Sequence, residues 1–314
     1  MTLQTEIGVR GDEEHTEREP RRGLLVSLAS CVLAAVLTGH RAVPGGPGTL
    51  LDTALPWLGL LVLPLAVIAA VRRAWWPGLA AVLLPALVWS LMFGGAFLRS
   101  APGGPYDLRV IGQNMYAGNR TPAATAAALL STRADVLALV ELSRGSYPES
   151  LDTAFPHHAV KGTVGIWSRF PIRDAEPVDL DMGWTRAMRA TLVTPKGDIT
   201  TYVAHLASAR PGYTSKRDAT MHRLSSTLRA DRSKRILLLG DLNTATTDRK
   251  LGELVPPLRE AHETAGSGMG FTWPGGFPLT RPDHILYAGL DAVNAATVAT
   301  PGSDHHAVQA DFRL

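Results

Sequence analysis

Three apolar stretches crowd into the first hundred residues, at about 23–38, 54–71 and 75–98. Each approaches the length that crosses a bilayer core of about 30 Å at 1.5 Å per residue. The first is the shortest and also fits the core of a signal peptide preceded by "EPRRG". Two further segments and the lack of a small-residue cleavage site before Arg41 favour a retained anchor of three transmembrane helices over 23–98. Three such runs in succession argue against core helices of a soluble protein. Trp57, Trp75 and Trp76 stand near segment ends, where aromatic side chains favour the interface. Residues 1–22 are charged and poor in large apolar side chains, which predicts a disordered tail. Arg18, Arg21 and Arg22 precede the first segment and Arg72 and Arg73 separate the second from the third, whereas the loop "GHRAVPGGPGTLLD" carries only Arg41. The positive-inside rule then places the tail and the "RRAWW" turn in the cytoplasm and everything beyond Arg99 outside the cell membrane.

Residues 99–107, "RSAPGGPYD", read as a linker, because Pro and Gly break both helix and strand. From about Tyr106 the pattern changes to that of an α/β domain. Strand-like runs include "LRVIGQN", "ADVLALVEL", "TVGIWSRF", "RATLVTP", "ITTYVAHL", "RILLLGDLN", "HILYAG" and "HHAVQADF". Helix candidates between them include "TPAATAAALLSTR" and "TSKRDATMHRLSSTLRADR", the latter with Thr214 as its expected N-cap. Several strands are continuously apolar, so both of their faces are expected to be buried. The single cysteine, Cys31, excludes an internal disulfide, and no structural-zinc spacing is present. A formal charge of +3 permits an anionic partner without choosing one.

Polar residues interrupt these strands at their ends. Asn114, Glu141 and His205 close three of them, Asp241 and Asn243 close "ILLLGDLN", and Asp283, Asp304 and His305 open two more. Asp241 and Asn243 are separated by one residue, so in extended chain they face one target, such as an attacking water or a phosphate. Taken alone, the pair reads better as an Asx turn. Acids, amides and histidines at six strand ends together point instead to one polar crevice on a rigid sheet. Oxygen donors without cysteine suit Mg²⁺ or Mn²⁺, and histidines beside acids suit proton transfer, so the chemistry expected is metal-assisted hydrolysis at phosphorus.

"GQN", "LALVEL", "GIWSRFP", "YVAHL", "LLLGDLN", "RPDHIL" and "SDHHAV" follow one another in the order found in the endonuclease/exonuclease/phosphatase superfamily, which the chain resembles over 108–314. The resemblance implies a DNase I-like, four-layer α/β/β/α sandwich with its active site at one edge of two packed sheets. It implies Glu141 as principal Mg²⁺ ligand, with Asn114 and Asp304 completing the metal site. Asp241 would orient or deprotonate the water, Asn243 would hold it, and His205 would stabilise charge on the phosphoryl oxygens. His305 and Asp283 would form a His–Asp dyad, while His284 and His306 alternate to the opposite face and are set aside. The turn reading of "GDLN" then falls behind. Three departures from the family pattern, "VEL", Pro282 and Ala307, remove no charged group and bear on substrate class.

The domain offers no long Lys/Arg-rich insertion to follow a duplex backbone, and no stable nucleic-acid partner is expected. Arg186, Arg189 and Arg210 are candidate phosphate contacts, with solvated arginine the default reading. Trp167, Trp184 and Trp273 are candidates for an apolar rim, with core packing an equal alternative. Tethering raises the effective concentration of membrane phosphates. Three membrane segments before an outward domain resemble actinobacterial membrane proteins of the VanJ type, linked to teicoplanin resistance. That resemblance implies a membrane-anchored, Mg²⁺-dependent phosphohydrolase acting on a lipid-linked phosphate, most directly undecaprenyl pyrophosphate. An extracellular nuclease or phosphodiesterase, and a non-enzymatic binder of a phosphorylated wall precursor or antibiotic, are the alternatives.

Overall fold

The computed structural model describes residues 18–143, 149–210 and 213–314; the tail expected over 1–22 lies outside them as far as residue 17. Two compact units result, one of the residues up to Val43 with Ala54–Gly94, the other of Pro44–Thr53 with Gly95–Leu314.

The first unit is helical. Helices α1 (Arg18–Gly39), α2 (Gly45–Leu58, whose residues up to Thr53 belong to the second unit), α3 (Val62–Val71) and α4 (Trp75–Leu98) contain three runs long and apolar enough to cross a membrane: Gly23–Ala42, Gly45–Val71 and Gly78–Leu98. Leu24, Leu28, Val67, Leu83 and Leu91 are exposed on them, an arrangement suited to lipid and not to water. The second run begins at Gly45, nine residues before its expected start at 54. The glycines and Pro47 of "PGGPG" suggested a loop. Pro is tolerated in a first helical turn, where its missing N–H has no intrahelical partner to lose.

The second unit is a two-sheet sandwich. One sheet has the order β11-β12-β1-β2-β4-β3 and the other β5-β6-β7-β8-β10-β9. Their ranges are β1 Leu108–Asn114, β2 Val136–Val140, β3 His157–Lys161, β4 Val164–Ser168, β5 Ile172–Pro177, β6 Ala187–Thr194, β7 Gly197–Ala204, β8 Ile236–Asp241, β9 Arg259–Glu260, β10 Asp283–Ala288, β11 Asp291–Val298 and β12 Ala307–Arg313. Helices α5 (Pro122–Ser131) and α6 (Glu149–Ala154) cover the first sheet, and α7 (Ser215–Ala230) covers the second. A short helix, α8 (Ala261–Ala265), follows β9. The layering is therefore α/β/β/α.

Alternation explains the apolar strands. In β2, Val136, Ala138 and Val140 enter the core between the sheets, while Leu137 and Leu139 pack with Ala126, Leu129 and Leu151 of the helical layer. In β8, Leu237 and Leu239 face inward, and Ile236 and Leu238 meet Met221, Leu224 and Leu228 of α7. Both faces are thus dry, and each strand has no polar position until it ends. Thr214 occupies the N-cap position of α7, but its side chain makes no capping bond.

Candidate active site

The parallel pairs β1–β2 and β7–β8 run in step, so Asn114, Glu141, His205 and Asp241 arrive at one edge of the sandwich. Antiparallel pairing of β10 with β8 sets Asp283 directly opposite Asp241. The turn before β12 supplies Asp304 and His305.

Backbone close approach fixes the end of β8. Gly240 has φ of 147°, and a Cβ there would lie 1.9 Å from the carbonyl oxygen of Ala204, so only glycine lets Asp241 reach the edge. Asp241 is then followed by Asn243 with φ of 47°, and Glu141 beyond β2 has φ of 58°. Non-glycine residues held in the left-handed region cost about 1–3 kcal/mol each and persist where their surroundings over-determine them.

Those surroundings are specific. Asn114 Nδ2 donates to Glu141 Oε1 at 3.1 Å and to Asp241 Oδ2 at 3.0 Å, while its Oδ1 accepts the Tyr116 N–H at 2.9 Å. The amide thus spaces the two carboxylates and turns its nitrogen to them. Glu141 Oε2 accepts the Ala117 N–H at 2.9 Å. His205 Nε2 lies 3.5 Å from Glu141 Oε1 and 3.8 Å from Asp241 Oδ2. On the other flank His305 Nδ1 is 2.8 Å from Asp283 Oδ2, which also accepts from Thr272 Oγ1 at 2.5 Å, and His305 Nε2 is 3.9 Å from Asp241 Oδ2. Asp241 is the hinge of both groups.

The Asx turn is present as well. Asp241 Oδ1 accepts the Asn243 N–H at 2.8 Å, and Asn243 Nδ2 donates to the Leu206 carbonyl at 3.1 Å. Turn and site are one feature, so the turn reading, set behind the other from sequence, describes the backbone correctly. With φ positive, Asn243 is not in extended chain, and the same-side argument for the pair does not hold; Asn243 still lines the cleft.

The electrostatics separate the two histidines. Burial, with Arg186 and His305 nearby, holds His205 well below the usual histidine value, so it is neutral at pH 7. Burial also disfavours charge on His305, but Asp283 beside it outweighs that and lifts it to about 9. Asp241 is raised by burial and then by the Asp283 charge. A neutral and a charged imidazole flanking a carboxylate of raised proton affinity is the division of labour that acid–base catalysis uses.

Comparison with known proteins agrees with this arrangement. The profile described as "Endonuclease/Exonuclease/phosphatase family" matches residues 112–305, more than half of the chain. The chain belongs to the endonuclease/exonuclease/phosphatase family. No curated protein matches it by sequence. Among solved structures it is similar to a humanized D. rerio TDP2 (16% identity, TM-score 0.56, 66% of this chain and 99% of that one). A Bacteroides thetaiotaomicron mannosyl-6-phosphatase (14%, 0.56, 66% and 100%) and the human Nocturnin catalytic domain with bound sulfate (18%, 0.54, 65% and 93%) are also similar. At these identities the likeness is one of fold. Members of the endonuclease/exonuclease/phosphatase family are phosphoester hydrolases, and this chain is an enzyme of that class.

The family is typically metal-dependent, and the donor set fits a hard divalent cation. Glu141, His205 and Asp241 offer ligand atoms within 4.8 Å of one another, and so do Asp241, Asp283 and His305. Two carboxylates crowd Asp241, and Asp304 Oδ1 is buried without a hydrogen-bond partner, a combination a cation relieves. Glu141 is grouped with His205 and Asp241, and Asp304 stands beside His305, its oxygen 4.0 Å from Nε2.

The arginines differ from expectation. Arg210 lines the cleft. Arg186 spends Nε and Nη2 on the carbonyls of His205 and Leu206, both at 3.0 Å, and braces that strand end. Arg189 does not line the cleft, because Asp231 at 3.2 Å and Glu176 at 3.6 Å hold its charge elsewhere. Trp273 lines the cleft, Trp184 is exposed, and Trp167 is fully buried with its indole N–H donating to Asp152 at 2.7 Å. His284 Nε2 bonds the Thr244 carbonyl and His306 Nε2 the Gly275 carbonyl, both at 2.8 Å. Sequence reasoning passed over Arg217, which is fully buried and donates to the Asn243 carbonyl and to Thr244 Oγ1, each at 3.1 Å. It also passed over Ser303, whose hydroxyl donates to the Asn114 carbonyl at 2.7 Å and accepts the His305 N–H at 3.0 Å. A hydrophilic face on α7 and a serine in a turn carry no pattern that marks such contacts.

Proposed function

We propose that the chain is a membrane-anchored phosphohydrolase that releases phosphate from a lipid-linked phosphate outside the cell membrane, with undecaprenyl pyrophosphate as the substrate and glycopeptide tolerance as the consequence. The observation that carries the hydrolytic part is the array Asp283–His305–Asp241, with distances of 2.8 and 3.9 Å. Asp241, with its raised proton affinity, takes a proton from the attacking water. His305, kept protonated by Asp283, faces the same carboxylate and donates to the departing oxygen. Neutral His205 donates a hydrogen bond to the phosphoryl group, and Asn243 and Arg210 border the cleft in which it rests. A Mg²⁺ or Mn²⁺ ion would be held by Glu141, with Asp304 nearby, and would supply Lewis-acid polarisation of phosphoryl oxygens. Three membrane-length helices and the arginine bias support an outer-leaflet substrate.

The test is phosphate release by the purified full chain from undecaprenyl pyrophosphate beside nicking of plasmid DNA. Turnover of the lipid with intact plasmid is expected. Cleavage of DNA without lipid turnover would replace this reading with that of a nuclease.

A further inference from the structure

The start of the second apolar run does more than lead into the membrane-length helix. Pro44–Thr53 belongs to the sandwich unit. Asp52 is fully buried there, and its carboxylate accepts from Arg249 Nε at 2.8 Å, Nη2 at 3.0 Å and the Arg249 N–H at 3.1 Å. The Asp52 carbonyl accepts from Thr247 Oγ1 at 2.5 Å, and Thr49 Oγ1 accepts from Arg217 Nη2 at 3.2 Å. A simple tether has no use for a buried carboxylate held by a forked guanidinium, an arrangement that is favourable only when its geometry is good.

The clamp has a position as well as a strength. Arg217 holds Thr49 with one nitrogen and the Asn243 carbonyl with another, so the segment is tied to the turn that follows Asp241. Gly46, Thr49, Leu50 and Thr53 consequently line the same cleft, of about 570 Å³, as Glu141, Asp241 and His305. None of the four carries a charge. Leu50 is 57% exposed and Trp273, on the same cleft, is 43% exposed, so each offers apolar surface that a ligand would cover.

A cleft with acids and imidazoles at one part and a clamped apolar segment at another suits an amphiphile. We infer that Pro44–Thr53 is a specificity wall of the active cleft, with Leu50 contacting the apolar group that carries the phosphate. This rests on the phosphohydrolase reading above and assigns the segment a part in substrate choice.

The experiment measures kcat/KM of the full chain in detergent for methyl, butyl and octyl diphosphate. Wild type is expected to favour the octyl compound over the methyl one. Leu50→Ser, at an exposed position that does not threaten folding, should lower that octyl-to-methyl ratio roughly 10-fold, the scale of a lost apolar contact in a binding pocket. Leu50→Met should keep the ratio, and Asp52→Asn, which weakens the clamp, should lower it. An unchanged ratio in Leu50→Ser, or a wild type indifferent to chain length, overturns the wall. If octyl preference and its loss in Leu50→Ser are both seen while undecaprenyl pyrophosphate is not turned over, the wall stands and the lipid-carrier reading falls.

Discussion

Two parts of one cleft are built in opposite ways. Glu141, His205, Asp241 and Asp283 stand at the ends of strands that are buried where they approach the site; Glu141, Asp241 and Asp283 are fixed by hydrogen bonds, and His205 faces Glu141 and Asp241 at 3.5 and 3.8 Å. Gly46, Thr49, Leu50 and Thr53 stand on the first turns of a helix and are fixed from outside, through Asp52 to Arg249 and through Thr49 to Arg217. The first part gains precision from the packed sheets, as chemistry demands, since proton transfers depend on tenths of an ångström. The second is an attachment whose position depends on a few polar bonds. Changes to the first should therefore alter the rate for every substrate, and changes to the second should alter the choice among substrates.

The largest effect that would sharpen this contrast is expected at the dyad. His305→Ala should lower kcat about 10²–10⁴-fold with little change in KM, equally for short and long diphosphates. Asp283→Asn should do less, and the double variant should cost little more than His305→Ala, because groups acting as a unit are not additive. Full additivity in steady-state kinetics would dissolve the pair.

Next in size is the cation. Glu141→Gln preserves shape but removes a charge from the set of Glu141, His205 and Asp241. The Mg²⁺ concentration for half-maximal activity should rise about 10–100-fold, the range seen when a metal site loses one of its supporting groups. A superimposable metal titration would remove Glu141 from the site.

A smaller effect concerns the network behind the strand ends. Glu260 is fully buried with Arg281 at 3.3 Å, near His284, whose ring holds the Thr244 carbonyl. Burial alone would raise Glu260, but Arg281 and His284 outweigh it and bring the carboxyl from 4.5 to about 2. Because the folded value lies below the unfolded one, the stabilisation is present above about pH 4.5 and is lost as pH falls toward 2. Glu260→Gln should cost on the order of 3 kcal/mol at neutral pH, with the deficit shrinking in acid. Thermal melts of both proteins from pH 7 to 3 read this out, and a deficit that stays constant would contradict it.

How far each part could be read beforehand follows from the same contrast. Strand ends announce themselves, because an unbroken apolar run such as "ILLLG" must meet water somewhere, and an acid at that point is visible in one dimension. A polar crevice at the strand ends was legible in that way, whereas the four-layer sandwich and the roles of Glu141, His205, Asp241, Asp283 and His305 came from the order of motifs that resembles the family. The direction of a side chain after the strand was not: Asn243 enters the left-handed region, and Asn114 turns its nitrogen to the acids, through bonds that appear only once the strands are assembled. Nor could Arg186 and Arg189 be told apart, since their partners, the His205 carbonyl and Asp231, come from other strands and loops. "PGGPGTLLD" looked like a loop because Gly and Pro dominate it, while the residue that decides its fate, Asp52, finds Arg249 almost two hundred positions away.

Asp241, at the meeting point of both groups of acids and imidazoles, is proposed to act in a metal-assisted hydrolysis. Phosphate release from undecaprenyl pyrophosphate by the full chain tests it, measured with Mg²⁺, after chelation, and in Asp241→Asn. The expected result is release that stops on chelation, returns with Mg²⁺ or Mn²⁺, and is lost in the variant. Release that survives chelation, or that proceeds at the wild-type rate in Asp241→Asn, would contradict it.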